Sequence, residues 1–438
     1  MSFFKQVGLT LLTKGGLLVI TFVYNILLSR TLRAEGIGVI GSLATFANIG
    51  VQFGNLGLSI GAKYFIGLDR ERSSAIAGTL TSTGLLISIL LFAGFALLAL
   101  INPGIIGSLD YSLYLIALIT IAPLLLALHY QNLLLAFRKI AEYNWIELLV
   151  RFLSLIAAVI ILVVFDRSLW IPAIVWLTVG YSVLLAILNG YYVRKTEPFR
   201  LSFDRTAFRD MIGYSWKSYY GSLLAFLIIR SDILFLNVWR SQAEMGIYRQ
   251  VIYVTDLVYL IPMTLGVLLF PQLMQQGASQ QTGLDERARF TMLVSRLTGL
   301  IMVAFWILFF FIGRWFLGIF GPEFPAGYQP LMILLGGMIF YGIQTVLAAE
   351  LARRGMPIFV VVYSTLCLIV KVIGNVLLIP GYGTYGAAWS SLATHIVFFT
   401  MVIWYCVKYY GFTLNDTLIV KPNDFIMIAQ RIKELFRK

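Results

Sequence analysis

The sequence predicts an all-α integral membrane protein of twelve transmembrane helices, arranged as two six-helix lobes that repeat in parallel. Three observations predict it. The 438-residue chain is 60% hydrophobic and only 12% charged, and its apolar runs recur at about 20 residues, the length that crosses a bilayer as a helix. Its basic residues alternate in density from one connection to the next. A polar connection, 194–212, divides the chain six spans and six.

The spans fall at approximately 8–31, 40–66, 75–101, 112–136, 146–165, 170–193, 213–238, 250–274, 291–312, 330–351, 358–379 and 386–409. Of the 33 basic residues, 22 lie in segments on one side, 6 on the other and 5 within spans. The positive-inside rule therefore puts both termini in the cytoplasm. It also explains the net charge of +13 without nucleic acid. The first residues, MSFFKQVGLTLLTKGG, run into a long span with no cleavable signal pattern. Cys367 and Cys406 both lie in predicted helices, so no disulfide framework is expected.

The organisation that follows is an N-terminal lobe at 1–193, a cytoplasmic inter-lobe loop at 194–212, a C-terminal lobe at 213–410 and a tail at 411–438. A short repeat supports the two lobes. Arg33-Ala34-Glu35-Gly36-Ile37-Gly38 follows the first span, and Ser241-Gln242-Ala243-Glu244-Met245-Gly246 follows the seventh. Their offset is 209 at the Glu pair and 208 at Gly38 and Gly246. Two halves of equal span number and orientation repeat about an axis along the membrane normal. In the tail, Phe425, Ile428, Ile432 and Leu435 stand at helical spacing among Arg431, Lys433, Arg437 and Lys438. That pattern fits either a helix on the anionic inner leaflet or a short solvated tail.

Charges inside spans are the chemically informative residues, because each costs about 2.5–3.5 kcal/mol at the centre of a membrane helix unless it faces a partner or a wet cavity. Arg230 and Asp232 share one span, but residues two apart on a helix point about 200° apart. They therefore need different partners. Arg230 is read either as half of a structural ion pair or as a cavity residue that meets an anion. Lys63 and Lys371 are the other cations near the middle of spans. Lys63 could instead snorkel to the inner interface, and Lys371 could neutralise Asp232. Asp256 is read as a proton or sodium site or as a partner for Arg249 or Arg230. Glu147 and Arg151, four apart, are expected to form an intrahelical pair. Arg30 and Arg249 sit where they meet an emerging anion or merely mark the outer interface.

Other motifs lead nowhere chemical. Gly36-Ile37-Gly38-Val39-Ile40-Gly41 matches a dinucleotide fingerprint, but no strand precedes it. Gly50/Gly54 and Gly57/Gly61 fit close helix packing. With only His129 and His395, and no metal-ligand cluster, no metal or cofactor is expected. His395 is expected to be a packed, hydrogen-bonded histidine rather than a proton relay. Asn415-Asp416-Thr417 is a glycosylation sequon on the cytoplasmic side of this topology.

Five stretches resemble a known family. Leu32-Arg33-Ala34-Glu35-Gly36-Ile37-Gly38 is similar to the first outside turn of polysaccharide flippases of the multidrug/oligosaccharidyl-lipid/polysaccharide exporter superfamily. Gly54-Asn55-Leu56-Gly57-Leu58 through Lys63-Tyr64 resembles their second helix, and Arg230-Ser231-Asp232 with Glu244 to Tyr248 their seventh helix and turn. Phe320-Gly321-Pro322-Glu323-Phe324 and Leu378-Ile379-Pro380-Gly381-Tyr382-Gly383 complete the set. Spans four to six show no such motif.

The resemblance implies two lobes around a central cavity that opens alternately to each side. It also implies a lipid-linked oligosaccharide carried from the inner to the outer leaflet of a bacterial or archaeal plasma membrane, in lipopolysaccharide or O-antigen assembly. A polyprenyl diphosphate would meet Arg230, Lys63, Lys371, Arg30 and Arg249. Asp232 and Asp256 would pair with cations or couple transport to a proton or sodium ion. The expected partners are the lipid-linked substrate, the bilayer, and a polymerase and glycosyltransferases. A functional monomer is expected. Two other readings stand beside it. A cation-coupled drug exporter would favour acidic cavity residues, whereas the mid-span excess here is basic. A membrane glycosyltransferase would need large outside loops with clustered carboxylates, and these loops are short. No enzyme is expected.

Overall fold

The computed structural model describes residues 3–275, 283–353, 358–421 and Asp424. All regular structure among them is helical. The α-helices are α1 (Phe3–Asn55), α2 (Leu58–Leu68), α3 (Ser73–Ile101), α4 (Tyr111–Ile119), α5 (Ile121–Ala136), α6 (Ile140–Val164), α7 (Trp170–Thr196), α8 (Arg205–Trp239), α9 (Gln242–Gln275), α10 (Gly283–Gly318), α11 (Tyr328–Arg353), α12 (Ile358–Tyr410) and α13 (Leu414–Leu418). Nine stretches among the described residues are long and apolar enough to cross a membrane. The protein is a multi-pass membrane protein.

Two of those stretches exceed a single crossing. Leu12–Asn55 has 44 residues and Ile358–Tyr410 has 53, against the roughly 20 that one passage takes. Each is broken at one residue. Arg33 breaks α1 with φ 59° and ψ −172°, and Gly383 breaks α12 with φ 56° and ψ −129°. The turns expected after spans one and eleven are thus single-residue breaks.

The chain divides into two compact units, residues 1–249 with 319–323, and residues 250–318 with 324–438. The 194–212 connection lies inside the first unit. It is also shorter than expected, because α7 runs on to Thr196 and α8 starts at Arg205. Asp204 caps α8, accepting from the Thr206 and Ala207 amides at 2.8 and 3.0 Å. Its own N–H donates to Thr79 Oγ1 at 2.9 Å, which ties the connection to α3.

In the first unit the break at Arg33 is held from outside α1. The Ala34 N–H, which opens the second arm, donates to Glu323 Oε2 at 2.8 Å. Arg30 Nε donates to the Ile319 carbonyl at 2.8 Å. Phe320 is fully buried, and Phe22 meets it edge-on at 5.9 Å. Glu323 therefore acts as a side-chain cap for an orphan helix amide.

The repeat appears as a reciprocal contact. A Cβ on Gly38 would lie 1.8 Å from the Gln242 carbonyl oxygen, and one on Gly246 would lie 1.7 Å from that of Ala34. Gly38 and Gly246 are 208 apart, as are Ala34 and Gln242. The four residues thus make an isologous contact, with i on j and j on i, as a local twofold axis requires.

Farther along, Leu56 (φ 45°) and Gly57 (φ 76°) interrupt the second span. Tyr219 of α8 donates its hydroxyl toward the Gln52 and Phe53 carbonyls at 3.3 and 3.2 Å, covering the end of α1. A Cβ on Gly61 would lie 2.6 Å from the Met211 carbonyl oxygen. These glycines serve close packing, as their spacing suggested. The fourth span is likewise two helices, α4 and α5, joined at Thr120.

In the second unit the arms of α12 fold tightly on each other. A Cβ on Gly386 would lie 2.3 Å from the Leu378 carbonyl oxygen. Past α13, Asp424 is buried and holds Arg296 of α10 through two hydrogen bonds from its guanidinium. That hydrogen bonding keeps the Asp424 carboxyl below its usual range. The tail residues Phe425, Ile428, Arg431, Ile432, Lys433, Leu435, Arg437 and Lys438 lie outside the described residues.

Candidate cation-lined site

The structure places the seven candidate residues at different depths and in different units. In the first unit Asp232 of α8 is only 2% exposed. It accepts the Tyr248 hydroxyl at 2.8 Å, and Tyr248 is itself fully buried. α8 presents Asp232 there because it is followed by a two-residue turn in which Ser241 Oγ accepts the Glu244 amide at 3.3 Å. That turn sends α9 back alongside α8. A buried carboxylate with a phenol donor has part of its desolvation offset.

Arg230, two residues earlier, is partly exposed and sits nine residues from the end of α8, about 14 Å along the axis at 1.5 Å per residue. Arg249 lies against the second arm of α1, where a Cβ on Gly41 would reach 2.8 Å from its Cδ. Arg30 is exposed at the same end of the bundle, on the Ile319 carbonyl. Lys63 belongs to the opposite end. It is exposed on α2, five residues before the helix stops, and makes no hydrogen bond or ion pair among the described residues. Its neighbour Tyr64 stacks on Tyr214 at 3.8 Å.

The second unit holds Lys371 and Asp256. Lys371 is 1% exposed on the first arm of α12. Its ammonium donates to the Ser391 hydroxyl of the second arm, and the Ser390 hydroxyl donates back to the Lys371 carbonyl at 3.1 Å. Asp256 is partly buried on α9. His395 packs on the Tyr341 ring at 4.8 Å as expected, but its buried Nδ1 has no hydrogen-bond partner among the described residues. No group of three or more metal-ligating side chains occurs among the described residues.

One expected pair is overturned. Glu147 does not hold Arg151: its Oε2 takes the Lys14 ammonium at 2.7 Å, and Tyr143 adds its hydroxyl oxygen at 3.2 Å. The i, i+4 spacing allows an intrahelical pair, but Lys14 on α1 reaches the carboxylate more directly. Arg151 lies instead over the rings of Tyr181 and Tyr24, at 4.8 and 5.8 Å.

Sequence reasoning missed three contributors. Glu323 and Tyr248 entered only as parts of the family-like stretches, and Lys14 was given no role. The spacing of Tyr143, Glu147 and Arg151, each four apart, marks one polar face of their helix that needs a partner, without saying which helix supplies it.

The chain matches the family model described as polysaccharide biosynthesis protein over residues 3–276. It is 26% identical over 181 residues to the probable low-salt glycan biosynthesis flippase Agl15 of Haloferax volcanii, a stretch covering 41% of this chain and 38% of that relative. The match therefore spans well under half of either protein. Among solved structures, the fold is similar to the lipid II flippase MurJ in an inward closed conformation, with a TM-score of 0.71, 14% identity, and coverage of 96% of this chain and 91% of that one. It is also similar to a mutant of the Vibrio cholerae MATE transporter VcmN, with a TM-score of 0.63, 14% identity, and coverage of 92% and 95%.

Proposed function

We propose a cargo and a cycle for this chain, which belongs to the polysaccharide biosynthesis protein family: it flips a polyprenyl-diphosphate-linked oligosaccharide from the inner to the outer leaflet. The observation that carries the reading is the family match, which includes Arg230, Asp232 and Arg249 on α8 and α9. Twelve crossings follow if α1 and α12 each cross twice and α4 with α5 crosses once. The excess of arginine over inner connections then places both termini in the cytoplasm.

A diphosphate and a sugar both need a hydrated, cationic path, because unpaired charge in hydrocarbon is prohibitive. On this reading Lys63 meets the head group at the inner end, and Arg230, Arg249 and Arg30 meet it toward the outer end. The planar fork of arginine suits bidentate phosphate contact, while lysine releases it more readily. Lys371 binds only in a state that opens the α12 arms. Asp232, with Tyr248, and Asp256 are the groups through which a proton or sodium ion would couple.

The test is flipping of a labelled lipid-linked oligosaccharide in proteoliposomes. Arg230→Ala should abolish flux while expression and melting temperature hold, and Arg230→Lys should keep part of it. Normal flux in a well-folded Arg230→Ala variant removes Arg230 from the mechanism. Collapsing the membrane potential should slow flux if a cation couples it.

A second reading, cation-coupled drug export, is favoured by the likeness of fold to VcmN. Efflux of a cationic dye by the same vesicles, with no movement of the glycan lipid, would select it.

A further inference from the structure

A second polar feature of the first unit takes no part in the reading above. Tyr143, Glu147, Arg151 and Ser154 stand three or four apart and share one face of α6. The opposite face shows Trp145, Phe152 and Val163 to the surroundings, as a lipid-facing side does. The polar face meets α1 and α7, which supply Lys14, Tyr24 and Tyr181.

The stripe is unbalanced. It holds two cations and one carboxylate, and Lys14 has the carboxylate. Arg151 has no hydrogen bond and no ion pair among the described residues, and its Nε is closed from solvent. Its place is eleven residues into α6, about 16 Å along the helix and so roughly halfway through a hydrocarbon layer of about 30 Å. Ring faces attract a cation but neither cancel its charge nor accept its five N–H donors along their planar directions. A guanidinium kept there without a carboxylate is chemically complete only when an anion joins it.

We propose that Arg151, backed by Tyr24 and Tyr181 and entered past Lys14, is a binding station for a phosphate group borne on a lipid. Two lipids carry that chemistry, the prenyl diphosphate of the cargo and an anionic phospholipid of the bilayer. The station itself does not depend on the flippase reading; only the first source does.

The experiment uses the full chain in phosphatidylcholine nanodiscs and follows melting temperature, because a ligand that binds only the folded protein raises it in proportion to occupancy. Farnesyl diphosphate, farnesol and phosphatidic acid are titrated separately. The expected result is a saturable rise with a phosphate-bearing lipid and none with farnesol. Arg151→Gln should weaken the apparent affinity at least tenfold, and Arg151→Lys less. Glu147→Gln should tighten it, an effect that a merely structural cation would not produce.

A rise with farnesyl diphosphate alone assigns the station to the cargo. A rise with phosphatidic acid alone keeps the station, assigns it to the bilayer and leaves the flippase reading to its own assay. The proposal is overturned if neither anionic lipid shifts the wild-type protein, or if Arg151→Gln responds as the wild type does.

Discussion

The two long broken helices solve one problem in opposite ways. α12 turns at Gly383, where the left-handed φ of 56° costs glycine nothing, and local sequence suffices. α1 turns at Arg33, where φ 59° and ψ −172° fall in a region almost confined to glycine, at about 1–3 kcal/mol for any other residue. That conformation is over-determined by Glu323 on the Ala34 amide, Arg30 on the Ile319 carbonyl and the glycine contacts with the start of α9. A turn written into its own residues is distinguishable from one imposed by distant ones. Substitutions separate them.

The largest effect is expected at Gly246 and Gly38. An added methyl would strike backbone carbonyl oxygens at 1.7 and 1.8 Å, which no rotamer can relieve. Gly246→Ala should cost at least the roughly 1–3 kcal/mol of ordinary overpacking and remove most folded protein in size-exclusion profiles. Folding at wild-type yield would show that this buttress is dispensable. Next comes Glu323→Ala, which leaves a helix amide without its acceptor at a cost of about 1–3 kcal/mol. Glu323→Gln should recover part of it, and equal melting of the two would remove the cap from the account.

Gly383→Ala should cost about 1–2 kcal/mol of backbone strain and lower the melting temperature by a few degrees, whatever happens at residue 323. The smallest effect has the opposite sign. Arg33→Gly relieves the strain at the first turn but adds chain entropy to the unfolded state, for a net gain of about 1 kcal/mol or less. A lower melting temperature would mean that the arginine side chain itself supports the turn.

Much of the architecture was legible because membrane helices announce themselves by apolar length. Pro380, Gly381 and Gly383 marked the turn of α12, and Gly57 and Gly61 the packing of α2. The Arg33 break was legible as a turn, but not what holds it, since Glu323 lies 290 residues away. The same limit governs the charges. Spacing alone gave Glu147 to Arg151, whereas tertiary approach gave it to Lys14. Asp232 showed its need for a partner, but not that the Tyr248 hydroxyl would stand beside it. Periodicity tells which face a side chain occupies and not which helix arrives there.

The glycine contact at the start of α9 is symmetric in its backbone and not in its side chains. Two copies of a half-length chain would make the same contact with each other, glycine to carbonyl in both directions. Within one polypeptide the two sides need not match, and they do not. Gln242 holds Ser42, Ser108 and Asn237 through its amide, while its mate Ala34 offers only a methyl. Arg249 fills the space that its mate Gly41 leaves open. A locally symmetric contact within one chain can thus present a single guanidinium where a true dimer would have to fit two.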